Sequence, residues 1–286
     1  MVGRFKMVLS MMLVLGLTAG VIPVFADGLI DGVSFTGGDG SYKKAVRDGI
    51  VAAISPASYP HTYVNPDTKQ PDGIDVNIFQ EIARRLGLKV SWQLMPFSSM
   101  VPALLARRVD VVVDDLHMTP ARLKIIAFTS PIPYYSFAIA VRRPNVQKIG
   151  TWQALAGHTV GALQGGIQYD MLQSRKDLRQ LTAYQFSEAA LTDLANGRVD
   201  AVLDDDLVIR AYVAKHPGSD IVIPPAGETS LPDRLHLGQA RYAIRQDDVD
   251  LNFAISRALA EMIADGGMVK ITAKWGMTPQ SMVGIP

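Results

Sequence analysis

Asp114, Asp115, His117 and Arg122 stand close together in the stretch 107–122, RRVDVVVDDLHMTPAR. Carboxylates attract a cation, and a guanidinium pairs both oxygens of a carboxylate through its planar fork. The stretch could therefore hold a small molecule that carries both charges. It also has an echo. Residues 198–205, RVDAVLDD, match 108–115, RVDVVVDD, at a fixed offset of ninety, and run into Asp204-Asp205-Asp206. The same chemistry twice in one chain implies two similar lobes. Asp114, Asp115 and His117 are metal-ligand types too, but their spacing is short and no fourth donor is apparent, so a hydrogen-bonded cluster is expected rather than a metal site.

These side chains need elements to position them. The apolar run 109–113 reads as a buried strand, Asp114 to His117 lie just past its end, and Thr119-Pro120-Ala121-Arg122 reads as a helix start. A strand end followed by a helix N-terminus is where open α/β sheets bind small molecules. Helical spacing marks 42–48, 73–86 (with Gly87 as C-cap), 98–106, 187–195, 248–265 and 269–275, and a short helical piece at 152–155. Strands are expected at 50–54, 90–94, 137–141, 159–163, 199–203 and 240–244, with a further strand and turn at 221–227. Gln164-Gly165-Gly166-Ile167-Gln168 opens a helix that runs through Leu172. Its glycines let a backbone approach closely, and free N–H groups at a helix start attract anions. Residues 55–63, SPASYPHTY, read as an aromatic loop suited to a cleft wall, and 65–72 as a polar hairpin turn. Alternating strands and helices imply mostly parallel sheets covered on both faces. Pro131-Ile132-Pro133-Tyr134-Tyr135 is a plausible crossover between lobes, with a return near Arg241.

The 286 residues are 48% hydrophobic and 19% charged, an ordinary globular composition, and a formal net charge of +1 makes no electrostatic case for nucleic acid. The absence of cysteine excludes a disulfide framework, thiolate catalysis and an acylated N-terminal cysteine. Residues 1–26 have the form of a signal peptide: Arg4 and Lys6, an apolar run over 7–24, and Val24-Phe25-Ala26 as a cleavage site after Ala26. Residues 27–40, rich in Gly and Asp, read as a flexible lead-in. The mature chain is expected in the periplasm.

The ordered motifs resemble those of the periplasmic solute-binding proteins of ABC importers, specifically the polar amino acid family. They are Gly73-Ile74-Asp75-Val76, Pro102-Ala103-Leu104-Leu105 before Arg108-Val109-Asp110, Thr119-Pro120-Ala121-Arg122, Phe128-Thr129-Ser130-Pro131, Val160-Gly161 with Gln164-Gly165, Asn196-Gly197-Arg198-Val199-Asp200-Ala201 and Lys274-Trp275-Gly276. The resemblance covers roughly 42–276 and implies an α/β fold of type II. Each of its two lobes would be a mostly parallel sheet flanked by helices, joined by two crossover strands and closing on a ligand. Lobe 1 would comprise 41–135 and 241–286, and lobe 2 residues 136–240. It implies that Arg122 binds an α-carboxylate, helped by N–H groups near Gly166 and Ile167, and that Asp205 takes an α-ammonium. Tyr59 would lid the ligand, although Ser58 takes that position by strict alignment and His61 replaces a Phe. Phe97, Gln164, Asp115 and His117 complete the expected ligand contacts. The implied partners are a small amino-acid-like ligand and an ABC permease, with no cofactor and a monomeric chain.

The chain departs from the family at Asp114, Asp115 and His117, where small or hydroxyl residues are common, and at Gly166 and Ile167, where Thr or Ser is common. Asp114 is either a solvated strand-end residue, a partner for Arg122, or part of a cleft with extra negative charge that favours a basic amino acid or an opine-like conjugate. A second resemblance, to periplasmic cyclohexadienyl dehydratases, implies an enzyme on the same scaffold. Those carry a Glu acid after the second-lobe Gly-Gly turn, whereas this chain has Ile167-Gln168-Tyr169, so a binding protein and not an enzyme is expected. A receptor sensor domain is the third alternative, disfavoured by the close of the chain soon after its last helix.

Overall fold

The computed structural model describes residues 38–133, 136–232 and 240–277. The expected signal peptide, most of the lead-in and Tyr134-Tyr135 of the crossover lie outside the described residues, in whole or in part. In chain order the first part runs α1 (Ser41–Asp48), β1 (Ile50–Ile54), β2 (Ala57–Ser58), β3 (Thr62–Val64), β4 (Pro71–Asp72), α2 (Ile74–Leu86), β5 (Val90–Leu94), α3 (Phe97–Leu105), β6 (Val111–His117), α4 (Pro120–Leu123) and β7 (Ala127–Phe128). The second runs β8 (Phe137–Arg142), β9 (Thr159–Leu163), α5 (Ile167–Gln173), β10 (Gln180–Tyr184), α6 (Ser187–Ala195), β11 (Ala201–Asp205), α7 (Asp206–Lys215) and β12 (Ile221–Val222). β13 (Ala240–Ile244), α8 (Val249–Ala264) and α9 (Gly267–Ala273) follow.

Two five-stranded sheets result, ordered β5-β1-β6-β13-β7 and β10-β9-β11-β8-β12, with a small β2-β3-β4 sheet beside the first. In each large sheet three neighbouring strands pair in parallel, and the fourth, β13 or β8, runs antiparallel to both of its neighbours. Side chains alternate between two buried faces, as a doubly covered sheet requires. Val111 and Val113 pack with α2 and α8, while Val112 packs with α3. In the second sheet Ala201 and Leu203 pack with α5, while Val202 packs with α6 and α7. β13 returns the chain to the first sheet, and beside it Thr129 and Ile132 donate backbone N–H groups to Tyr242 and Ala240 at 3.0 Å each. The two connections between the sheets thus run side by side.

The repeat is visible as geometry. α3 and α6 have the same length and begin ninety residues apart, at Phe97 and Ser187, and each feeds its repeat strand. Asp110 and Asp200 are equivalent in the repeat. Asp110 accepts from Val51 N at 3.0 Å and Asp200 from Thr159 N at 2.9 Å, each tying its segment to the neighbouring parallel strand.

The expected strand 109–113 is corrected by the fold: β6 runs from Val111 to His117, so Asp114, Asp115 and His117 lie within the strand and not past its end. Antiparallel pairing with β13 (His117 with Ala240, Leu116 with Arg241) carries the ladder across the charged residues. The register is irregular there, and Asp115 has φ of 39°, a left-handed conformation that Asp tolerates better than most residues. β10 and α7 have no counterpart in the sequence reading. β10 is a polar edge strand, and α7 starts directly at the end of β11 with no loop to signal it.

Candidate functional site

The cleft between the sheets is assembled from strand ends and helix starts. Pro60 and His61 lie in the β2–β3 turn, and their carbonyls accept from the first N–H groups of α2, Ile74 N at 2.9 Å and Asp75 N at 3.1 Å. Gly73 permits this contact: a Cβ there would lie 2.2 Å from the His61 carbonyl oxygen, and its φ is 128°. His61 is thereby held against the helix start, with Nδ1 3.7 Å from Asp75 Oδ2 and Nε2 3.4 Å from Asp205 Oδ1. Asp75 and Asp205 belong to different lobes, so one imidazole bridges the cleft.

Asp114 is 2% exposed and accepts from Ser55 N at 3.0 Å and Thr62 Oγ1 at 2.8 Å. It is neither solvated nor a partner of Arg122, as the simpler expectations had it; it fastens the loop that carries His61. Asp115 is half-buried and faces the cavity. Asp205 ends β11 and caps α7, its Oδ1 accepting from Leu207 N at 2.9 Å. Asp204 beside it is buried and accepts from Asp205 N at 2.9 Å.

Arg122 sits in the first turn of α4, where its backbone N donates to the Thr119 cap at 3.2 Å. Its guanidinium lies 5.9 Å from the Phe97 ring centroid. It donates to the His117 carbonyl at 2.5 Å and, across the cleft, to the Gly165 carbonyl at 2.7 Å. Gly165, with φ of 83°, packs against Ser98 of the other lobe: a Cβ would stand 3.1 Å from Ser98 Cα. The Gly-Gly turn is therefore a point of contact between lobes.

The electrostatics are dominated by buried carboxylates. Burial alone would lower the His61 pKa, but Asp205, Asp115 and Asp75 reverse this and push it up to about 10. Burial raises Asp75 to about 7 despite His61, and raises Asp114 and Asp204 to about 6. Burial also raises Asp115. His117 is pushed down to about 4 by burial, with Arg122 and His61 adding to the effect, so its ring is neutral at pH 7. Burial lowers Arg122.

Of the residues expected at the ligand, Arg122, Asp205, Asp115, His117, Gly166, Ile167 and Phe97 line one cavity between the lobes. Tyr59 and Gln164 do not line it. Tyr59 turns away from the cavity to stack edge-on with Tyr63 and Trp275, and Lys215 Nζ sits 3.2 Å from its ring centroid. Gln164 is exposed and extends the ladder through its N–H to Tyr184 O at 2.8 Å. Ser58 and His61 line the cavity instead of Tyr59. His61 and Asp75 are the functional candidates that sequence reasoning passed over as a pair. The available signal was an acidic residue in the first helical turn, which ordinarily reads as a dipole partner and not as a buried charge. The space left free within the cavity is about 40 Å³, room for a few water molecules.

The comparisons with known proteins agree with this architecture. The family model described as bacterial extracellular solute-binding proteins, family 3, matches residues 50–278. The chain is 31% identical over 208 residues to the lysine/arginine/ornithine-binding periplasmic protein of Escherichia coli (strain K12), covering 71% of this chain and 78% of that one. It is 28% identical over 207 residues to the histidine-binding periplasmic protein of the same strain, with the same coverage. A mutant of ArgBP from T. maritima superposes with a TM-score of 0.74 at 28% identity, covering 82% of this chain and 98% of the other. The fold is the two-lobed type II periplasmic-binding fold, and the chain belongs to the bacterial extracellular solute-binding proteins of family 3.

Proposed function

We propose that the chain is the extracytoplasmic binding component of an ABC importer, taking an amino acid or amino-acid-like ligand between its lobes and delivering it to a permease. Residues 41–135 with 241–286 would form one jaw and 136–240 the other, exported to the periplasm after cleavage at Ala26. The observation that carries this reading is one interlobe cavity holding a guanidinium, Arg122, together with Asp115 and Asp205. Arg122 would release its two carbonyls to pair with the ligand carboxylate, and Asp205 would take the ligand ammonium.

The ligand class is basic. Asp75, Asp114, Asp115, Asp204 and Asp205 outnumber the cleft cations His61 and Arg122, so a ligand with extra positive charge is favoured, such as a basic amino acid or an opine-like conjugate. Relatives named for lysine, arginine, ornithine and histidine support this. The dehydratase alternative gains nothing from the site, because Ile167 and Gln168 line the cavity after the Gly-Gly turn and neither is an acid.

The test is native mass spectrometry of the purified protein, followed by a thermal-shift panel of amino acids, opines, polyamines and sugars. A ligand at about a hundred times its Kd stabilises by roughly 2.7 kcal/mol. Basic amino acids or their conjugates are expected to give the largest shifts; shifts from sugars alone would overturn the reading.

A further inference from the structure

The internal repeat has a chemical consequence in three dimensions. Asp115 of β6 and Asp205 of β11 are equivalent positions, ninety residues apart, in different lobes. Both approach the ring of His61. One donor atom from each of His61, Asp115 and Asp205 lies within 4.8 Å of the others, and the His61 Nε2 to Asp205 Oδ1 distance is 3.4 Å. Around a tetrahedral zinc ion with bonds of about 2.0–2.2 Å, donors stand about 3.3 Å apart. The other ring nitrogen faces the Asp75 carboxylate at 3.7 Å. A carboxylate behind the second nitrogen is the arrangement that orients metal-binding imidazoles. Asp75 is itself fully buried and accepts from the Tyr242 hydroxyl at 3.4 Å.

Two independent observations point to a bound cation and not to a self-sufficient ion pair. Asp205 is 4% exposed and its Oδ2 has no hydrogen-bond partner; the buried Oδ1 of Asp115 has none either. Such atoms are costly unless something binds them. In addition, Asp114, Asp115, Asp204 and Asp205 line one cavity with His61, and Asp75 stands behind the ring, so five carboxyl groups gather around a single imidazole.

We propose that His61 Nε2 and one oxygen each of Asp115 and Asp205 form a divalent transition-metal site that bridges the two lobes, with Asp75 as its positioning residue. A donor set of imidazole and carboxylate, without sulfur, suits Zn²⁺, Co²⁺ or Ni²⁺. Three protein ligands leave a coordination position for an amine or carboxylate of an incoming ligand. Because the donors come from both lobes, the metal binds the closed arrangement in preference to the open one. The site shares Asp115 and Asp205 with the amino-acid reading, and His61 lines the same cavity.

The experiment is titration of chelator-stripped, dialysed full-length mature protein with CoCl₂ and with ZnCl₂, followed by calorimetry and visible absorption. One Co²⁺ per chain is expected, with d–d bands that Zn²⁺ abolishes. His61→Ala and Asp115→Asn should each weaken binding by about a hundredfold or more, and Asp75→Asn by about 10–100-fold while keeping the bands. Circular dichroism reports folding, and the isosteric Asp115→Asn decides the matter if His61→Ala does not fold. Absence of heat and of d–d bands in the wild type, or unchanged affinity in folded Asp115→Asn, overturns the site. An amino-acid panel on both the stripped and the metal-loaded protein keeps the two readings distinguishable: metal binding with no amino-acid shift in either form defeats the functional reading alone, and amino-acid shifts without any metal binding defeat the metal site alone.

Discussion

Arg122 and Asp114 show how differently two charged residues in one stretch can act. Arg122 donates to two backbone carbonyls, one in each lobe, and these are bonds that a ligand carboxylate can replace. Removing one partner of a buried, hydrogen-bonded charge pair costs about 3–5 kcal/mol, a hundred- to several-thousandfold in affinity. Arg122→Ala is therefore expected to abolish calorimetric binding of any carboxylate ligand; unchanged affinity would remove Arg122 from the site. Asp114 holds Ser55 and Thr62 beneath the surface. Asp114→Ala leaves both donors unsatisfied, so it should lower stability to urea by about 1–3 kcal/mol. Had Asp114 been a solvated strand-end residue, the midpoint would not move.

At the scale of elements, the repeat strands are fastened by Asp110 and Asp200 in the same way but in different surroundings. Asp110 also pairs with Arg245, which is buried and bonds Asp248 on its other side, at 2.9 and 2.6 Å respectively. Asp200 pairs with the exposed Arg179 at 2.7 Å. Loss of the Asp110 carboxylate leaves a buried guanidinium short of an acceptor; loss of Asp200 frees a solvated one. Asp110→Ala should cost about 2–3 kcal/mol and Asp200→Ala about 1 kcal/mol in equilibrium denaturation. Equal losses would show that the two halves are fastened alike in energy as well as in geometry.

For the whole molecule, closure depends on contacts outside the cavity as well as in it. Lys215 at the end of α7 lies over Tyr59 and 5.5 Å from the Tyr63 centroid. Such a cation–π contact at an exposed lysine is worth about 0.5–1 kcal/mol, so Lys215→Met should favour opening of the lobes, raise the radius of gyration in solution scattering and weaken ligand binding by about two- to fivefold. The buried charges also set a pH dependence. His61, raised to about 10, contributes stability that is complete below pH 6.5 and is lost as pH rises toward 10. Asp75, Asp114 and Asp204, raised to between about 6 and about 7, hold protons more tightly folded than unfolded, so stability again falls as pH rises from 3.8 through those values. Glu81, lowered to about 2 by Arg84, acts in the opposite sense but only below pH 4.5. The metal-free protein should thus melt at a higher temperature at pH 5.5 than at pH 9, and the reverse order would contradict the charge states assigned to the cleft.

Much of this was legible in the amino-acid sequence, and the reason is local. Apolar periodicity and glycine caps define α2, α6, β1, β5 and β9, because one buried face and one chain reversal are properties of a short segment. The ninety-residue echo announced two lobes, and the motif order announced the family. The path of β6 through Asp114, Asp115 and His117 was not legible, since it depends on pairing with β13, more than a hundred residues later. Nor was the turn of Tyr59 toward Lys215, or the meeting of His61 with Asp75, Asp115 and Asp205, which join loops, a helix start and two strand ends from both lobes. A charged residue's type is written in the chain, but its partners are fixed by long-range packing. Only the tertiary structure decided which carboxylate fastens a loop, which caps a helix and which face one another across the cleft.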